Sequence, residues 1–373
     1  MSPLFTFGRP QTDPNTPHLT HIHPTAAMPG GEVELHGTHL GPYHSQLPHI
    51  TLNDITTPIS LARPNRAIIR IPEAAFPGDL IVHRSAASSN SLPLRVATLM
   101  ADGLHPVANP AVDARGHLYA TLSGSRGQQV PISVFRIDTR APGEDFPMRP
   151  FVRDLLNPTG LAIGPDGLLY ASSRADGTIY RIAPNGAYSI YAEGMGVATG
   201  IAFDPEGNLF VGDRSGTIFK IARTPMPGPG EPLVIGVPDT RAREIFVFAT
   251  LEPSVAAYHL AFNDAGTLFV TGPTTSSSQS IQAIDRDGNA TVFFSGLGRP
   301  QGMAFDIEDN LYVAASYRGQ RGIIRITPER EASLAVSGNN LVGLAFLDHG
   351  ACALATRDSI FFLELGVHGR PLV

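Results

Sequence analysis

The sequence predicts an all-β chain in two parts, a small β-sandwich followed by a six-bladed β-propeller. Three observations carry that prediction. Short apolar segments are separated throughout by turn residues, with 38 Gly and 33 Pro spread along 373 residues. Residues 17–97 read as short strands packed into a span typical of a sandwich. From near residue 105 onward, a unit of apolar strand, tight turn (Asp113–Gly116, Asp204–Gly207, Asn263–Gly266, Asp306–Asp309 and Leu347–Gly350 among them) and apolar strand recurs six times.

Composition narrows the function before any motif is considered. Hydrophobic residues make up 42% and charged residues 16%, an ordinary globular balance rather than a disordered one. A net charge of −6 leaves no electrostatic footprint for nucleic acid or an anionic membrane, so neither is expected as a partner. Lys220 is the only lysine, a bias that genomic base composition explains more simply than function. The single cysteine, Cys352, excludes an internal disulfide and any multi-Cys metal site. Its setting, Ala351-Cys352-Ala353-Leu354, reads as a strand with a buried, inert thiol. No apolar run approaches the ~18 residues of a membrane span. Met1–Pro17 has neither a basic nor an apolar leader region, so a cytoplasmic product is expected.

After a tail over residues 1–16, the strands of the first part follow in order: His18–His23, Glu32–Gly37, Ile50–Leu52, Ala67–Ile71, Asp79–His83 and Leu92–Val96. Val33 and Leu35 alternate onto one face of the second. Pro29-Gly30-Gly31, Gly41-Pro42, Asn53-Asp54, Pro64-Asn65 and Pro77-Gly78 supply the turns. These signals, with Ile22-His23-Pro24, Glu34–Gly41, Ile68–Pro72 and Pro77–Val82, resemble the immunoglobulin-like IPT/TIG family over residues 17–97. The resemblance implies a sandwich that serves as spacer, protein-binding module or dimerisation unit. Seven histidines (His18, His21, His23, His36, His39, His44, His49) crowd this part, and His21 and His23 share a strand face. A metal site and scattered surface positions are both open readings.

The clearest copies of the repeat are Pro158–Ala171 and Ala198–Val211. Each unit reads as four strands: a small inner strand A, an apolar strand B, strand C (Thr178–Ile182, Thr217–Ile221, Gly322–Ile326) and an amphipathic strand D (Tyr188–Ala192, Ala290–Phe294). Roughly 45 residues per unit suits a propeller blade. Leu94–Asp102 looks like a strand D without its A–C, and Leu341–Leu365 like A–C without a D. Pairing the two would close the ring and remove free edges. The propeller is therefore placed at residues 98–366, closed by residues 94–102, with a C-terminal tail at 367–373. Gly200–Asp213 and Gly302–Ala314 resemble the NHL and SMP-30/gluconolactonase-like propellers.

In such a fold the D–A and B–C connections share the face at the channel mouth, where ligands bind. Strand A starts place Asn109, Thr159, Thr199, Tyr258, His259, Gln301 and Val342 there. The B–C connections add Ser123–Gln129, Ser172-Ser173-Arg174, Asp213-Arg214, Thr271–Ser278, Ser316-Tyr317-Arg318 and Thr356-Arg357. Asn109, Thr159, Arg174, Thr199, Asp213, Arg214, Tyr258 and Gln301 are the candidate ligand-binding residues, suited to a polyhydroxylated or anionic small molecule. The Asp-Arg pattern equally fits bonds that hold blades in register. His259 replaces a small inner-strand residue and is the candidate general base, or else a satisfied channel histidine. The insertions Thr139–Pro150 and Arg223–Arg243 fall on the opposite face as C–D loops.

Resemblance to the gluconolactonase-like enzymes implies a divalent cation at the mouth, held by Glu, Asn and Asp, which activates water against a lactone. No carboxylate stands at the matching strand A positions, and Asp213 alone does not replace the set. No metal ligand is therefore assigned and a cofactor rests on resemblance alone. Two functions remain: recognition of a sugar- or lactone-like molecule with hydrolase activity inherited from the family, or a non-enzymatic protein- or glycan-binding scaffold.

Overall fold

The computed structural model describes residues 16–125, 127–140, 146–223, 243–276 and 278–370. The tail over 1–15, residues 141–145 of the first C–D insertion, residues 224–242 of the second and the last three residues lie outside them. The chain divides into two compact units, residues 1–97 with 336–338, and residues 98–335 with 339–373. Among the described residues no helix is long and apolar enough to cross a membrane.

In the first unit, His18–His23, Glu32–Thr38, Arg66–Arg70 and Ile59–Arg63 hydrogen-bond into one sheet in that order. A second run joins Ala26–Ala27, Leu92–Val96, Gly78–Arg84, His49–Leu52 and Ile55–Thr56. Alternation makes each strand two-faced: Val33, Leu35, Ala67 and Ile69 from one sheet are fully buried with Ile50, Leu52, Leu80 and Val82 from the other. A bulge between Leu19 and His21 keeps both Leu19 and Ile22 inside. Each such side chain contributes roughly 1.5–3 kcal/mol when withdrawn from water. The strand Ile59–Arg63 has no sequence signal beyond a half-exposed pattern, as befits an edge.

The second unit is made of four-stranded antiparallel sheets, six among the described residues. Blade 1 comprises Ala111–Val112, His117–Thr121, Val134–Asp138 and Met148–Val152. Blade 2 runs Pro158–Ile163, Leu169–Ser173, Ile179–Ile182 and Tyr188–Ala192. Blade 3 runs Ala198–Phe203, Leu209–Asp213, Thr217–Ile221 and Ile245–Thr250. Blade 4 holds His259–Phe262, Leu268–Thr271, Gln279–Ile284 and Ala290–Gly298. Blade 5 holds Met303–Phe305, Leu311–Tyr317, Gln320–Ile326 and Ala332–Ser337. Blade 6 combines Gly343–Phe346, Ala351–Ala355 and Ile360–Glu364 with Thr98–Ala101 as its outer strand. Each inner strand neighbours the next, and that of blade 6 neighbours that of blade 1, so the sheets close into a propeller.

The segment expected to close the ring, Leu94–Asp102, is divided between the two units. Leu94 and Val96 are buried in the first core, whereas Met100 and Ala101 are buried in that of blades 6 and 1. Two cores claim side chains from one run, and the strand breaks at Ala97.

The repeat acquires its physical meaning here. A strand A ends on an aromatic side chain that meets, edge on, the strand B aromatic of the blade before. The pairs are Tyr170–Phe203 and Phe210–Phe262 at 4.9 Å, Phe269–Phe305 at 5.0 Å and Tyr312–Phe346 at 5.3 Å between centroids. Such contacts contribute roughly 0.5–1.5 kcal/mol each beyond their buried area. The turn Asp or Asn gathers backbone N–H groups: Asp204 Oδ1 accepts from Asn208 N (2.7 Å), and Asp306 Oδ1 from Asn310 N (2.8 Å). Inner strands are crowded near the axis, since a Cβ on Gly160 would lie 2.4 Å from Thr199 O, and one on Gly200 2.3 Å from Tyr258 O.

Candidate functional site

The strand A starts and B–C connections do gather on one face, but their side chains are largely spent on neighbouring blades. Ser172 Oγ of blade 2 donates to Thr199 O of blade 3. Thr199 Oγ1 donates to Gly212 O (2.8 Å) and accepts from Tyr258 N (3.1 Å) at the entry to blade 4. Thr271 Oγ1 of blade 4 donates to Gln301 O (2.7 Å), and Gln301 Nε2 donates to Leu341 O (3.1 Å). Asn109, at the entry to blade 1, donates to Met303 O (2.7 Å) of blade 5 and accepts from Leu344 N (3.1 Å) of blade 6. Thr159 Oγ1 donates to Asn157 O (3.3 Å) within its own blade.

The two arginines expected to meet an anion donate to backbone carbonyls: Arg174 Nη2 to Gly124 O (2.8 Å) and Arg214 Nη2 to Val255 O (3.0 Å). Asp213 is buried, accepting from Val197 N (2.7 Å) at Oδ1 and from Ser215 Oγ at Oδ2. The candidates thus fall into three groups: Thr159 and Arg174 beside blade 1, Thr199, Asp213, Arg214 and Tyr258 between blades 3 and 4, and Asn109 with Gln301 between blades 5, 6 and 1.

His259 opens the inner strand of blade 4 opposite Thr271 and is 5% exposed. Burial pushes its imidazole down to about 4. A general base works best when its pKa lies near the operating pH, so this ring is a poor proton acceptor at neutrality. Burial, aided by Glu252 and Asp213, pushes the Tyr258 phenol up to about 12, and its hydroxyl donates to Glu252 O. This phenol stays protonated.

A hard divalent cation does not fit these residues. It needs several oxygen ligands, carboxylates above all, and both oxygens of Asp213 are engaged by the protein. Among the described residues no three His, Cys, Asp or Glu side chains converge as metal ligands. The stacked His21 and His36 rings of the first unit, 4.3 Å apart, form no such group either; His36 Nε2 pairs with Glu34 Oε1 at 2.7 Å.

What the face does offer is a cleft of about 380 Å³ between the connection into blade 4 and that blade's strands B and C. Tyr258, Glu252, Thr274, Ser276, Gln279 and Gln282 are among its walls. Gln279 Nε2 donates to Thr274 O (3.0 Å) and Ser276 O (2.8 Å), which holds the B–C loop in place. Its Oε1 is buried without a donor. Sequence reasoning reached Tyr258 and the hydroxyl-rich loop but missed Glu252, Gln279 and Gln282. The available signal was the polar run Thr274–Gln282, which continues past the loop into a strand.

No protein-family model matches the chain, and no curated protein matches it in sequence. Solved structures do resemble it. An auxiliary nutrient binding protein from Bacteroides thetaiotaomicron VPI-5482 is 12% identical with a TM-score of 0.54, over 94% of this chain and 99% of its own. A provisionally named gluconolactonase is 15% identical with a TM-score of 0.52, over 74% and 94%. A provisionally named glucose dehydrogenase from Thermus thermophilus is 17% identical with a TM-score of 0.52, over 72% and 99%. At these identities the likeness establishes the fold alone.

Proposed function

We propose that this chain is a small-molecule-recognising β-propeller of the SMP-30/gluconolactonase-like type, which binds a polar, sugar- or lactone-like ligand without hydrolysing it. The observation that carries the reading is the polar cleft on the face of the D–A and B–C connections. Against hydrolysis stand the buried, neutral His259 and the engaged carboxylate of Asp213. Neighbours named for binding and for oxidation share the fold, so the fold does not choose between them. We further assign the repeat to the NHL type and the first unit, residues 17–97, to the immunoglobulin-like IPT/TIG sandwiches. Two sheets around one core, and the motif residues Ile22–Pro24 and Glu34–Gly41, support the latter.

The test is a panel of aldonolactones assayed with and without Ca²⁺, Mn²⁺ and Zn²⁺, alongside thermal-shift measurements with the same compounds. A rise in Tm without turnover is expected. Cation-dependent turnover that is lost in Asp213→Asn would overturn the non-catalytic reading. A second reading, a protein-binding scaffold, draws on the outer strand of blade 3, where Ile245, Phe246 and Val247 are exposed in succession. It is favoured if no small molecule shifts Tm.

A further inference from the structure

The cleft is lined by a residue at which blade 4 breaks the repeat. Strand pairing puts the six blades in a common register, with Ile137, Ile182, Ile221, Ile284, Ile326 and Leu363 equivalent opposite strand B. Two residues earlier on strand C stand Phe135, Tyr180, Phe219, Ile324 and Phe361 in the other five blades. In blade 4 that position is Gln282, opposite Val270. A large apolar or aromatic side chain has become an amide, and this amide stands in the wall of the cleft with Thr274, Ser276, Ser278 and Ser280. In a repeat protein a position that is large and apolar or aromatic in every other copy has no structural reason to turn polar in one.

The wall chemistry constrains the occupant. Among the described residues no Lys, Arg or His lines the cleft, and its one ionisable side chain besides Tyr258 is the exposed Glu252. Tyr258, buried beside Gly272, gives an aromatic surface, while Thr274, Ser276, Ser278, Ser280 and Gln282 present hydroxyls and an amide. Gln279 Oε1, buried without a protein donor, is an acceptor that a ligand hydroxyl would satisfy. Such a wall matches a ligand rich in hydroxyls and repels carboxylates and phosphates.

We propose that the cleft between blades 3 and 4, lined by Gln282, is a site for an uncharged sugar, and that Glu252 makes it reject anionic sugars. This rests on the recognition reading above, and locates it off the propeller axis. The chain contains no Trp, so Ser278→Trp places a single fluorophore at the rim of the cleft. Titration with glucose and maltose is expected to change its emission saturably. Gln282→Phe, which restores the side chain that blades 1, 3 and 6 carry, is expected to keep the native Tm and to weaken binding of both sugars at least tenfold by calorimetry. Gluconate and glucose 6-phosphate are expected to bind more weakly than glucose, and Glu252→Gln to narrow that gap several-fold. Equal sugar affinity in Gln282→Phe and the native chain overturns this cleft while leaving small-molecule recognition intact. Tighter binding of gluconate than of glucose overturns the charge selection. If neither the neutral nor the anionic sugars bind, the cleft assignment fails, and recognition fails with it if the lactone panel is also silent.

Discussion

His259 shows how burial decides what a single side chain can do. Its folded pKa of about 4 lies below the ordinary 6.5, so the unfolded chain binds the proton more readily between those values. The associated stability is therefore complete above about pH 6.5 and is lost as pH falls toward 4, in total on the order of 3 kcal/mol. Urea melts at pH 7.0, 5.5 and 4.5 are expected to show this loss, and His259→Gln to reduce it. A slope unchanged by the substitution would mean that other groups carry the acid sensitivity. Cys352 obeys the same rule with opposite sign for an acid: burial pushes its thiol up to about 12, which leaves it inert.

At the scale of elements, the blades are joined by bonds that sequence patterning leaves unspecified. At the mouth, the ends of strand B and the starts of the inner strands carry hydroxyls and amides that donate to the next blade, from Ser172 to Thr199 and from Gln301 to Leu341. The long outer strand of blade 4 adds another join, pairing Leu297 and Gly298 with Tyr317 and Ser316 of blade 5. On the face of the A–B turns, residues 367–370 of the C-terminal tail are bound to the propeller. His368 O accepts from Ile307 N (3.0 Å), and Arg370 reaches Asp264 (2.9 Å), Asp309 and Phe262 O (3.2 Å). The Arg370 side chain is only 17% exposed. Arg370→Ala is expected to cost roughly 1–2 kcal/mol in urea unfolding, since several charge-assisted bonds are lost with partners that water can still reach. A stability within about 0.3 kcal/mol of native would make the tail incidental.

For the whole molecule, closure is the decisive event. Thr98 and Leu99 pair with Phe362 and Phe361, and the unpaired edge of Ile360–Glu364 is thereby covered by a strand that precedes the first blade in sequence. A chain starting at Thr98 is expected to unfold cooperatively. One starting at Asp102 leaves that edge open, and is expected to melt at lower temperature and to aggregate. Matching melts and matching monomer peaks in size-exclusion chromatography would show that the outer strand of blade 6 is dispensable. Closure joins residues some 260 apart in the chain, which favours slow, non-local folding.

Alternation, turn residues and the six-fold repeat were enough to read the strands His18–His23 and Leu92–Val96, the four-stranded units and their tight A–B turns, because each depends on contacts a few residues apart. The residues at the mouth were legible by position but not by use. Thr199, Asn109 and Gln301 stand where a ligand would be met, yet whether a hydroxyl or amide is free depends on which carbonyl the next blade presents. The sequence determined the repeat and therefore its exception at Gln282, a polar letter in an apolar column. Only the tertiary structure decided that this exception lines a cleft, since an empty volume is defined by walls from blades 3 and 4 that meet only once the two sheets have packed together.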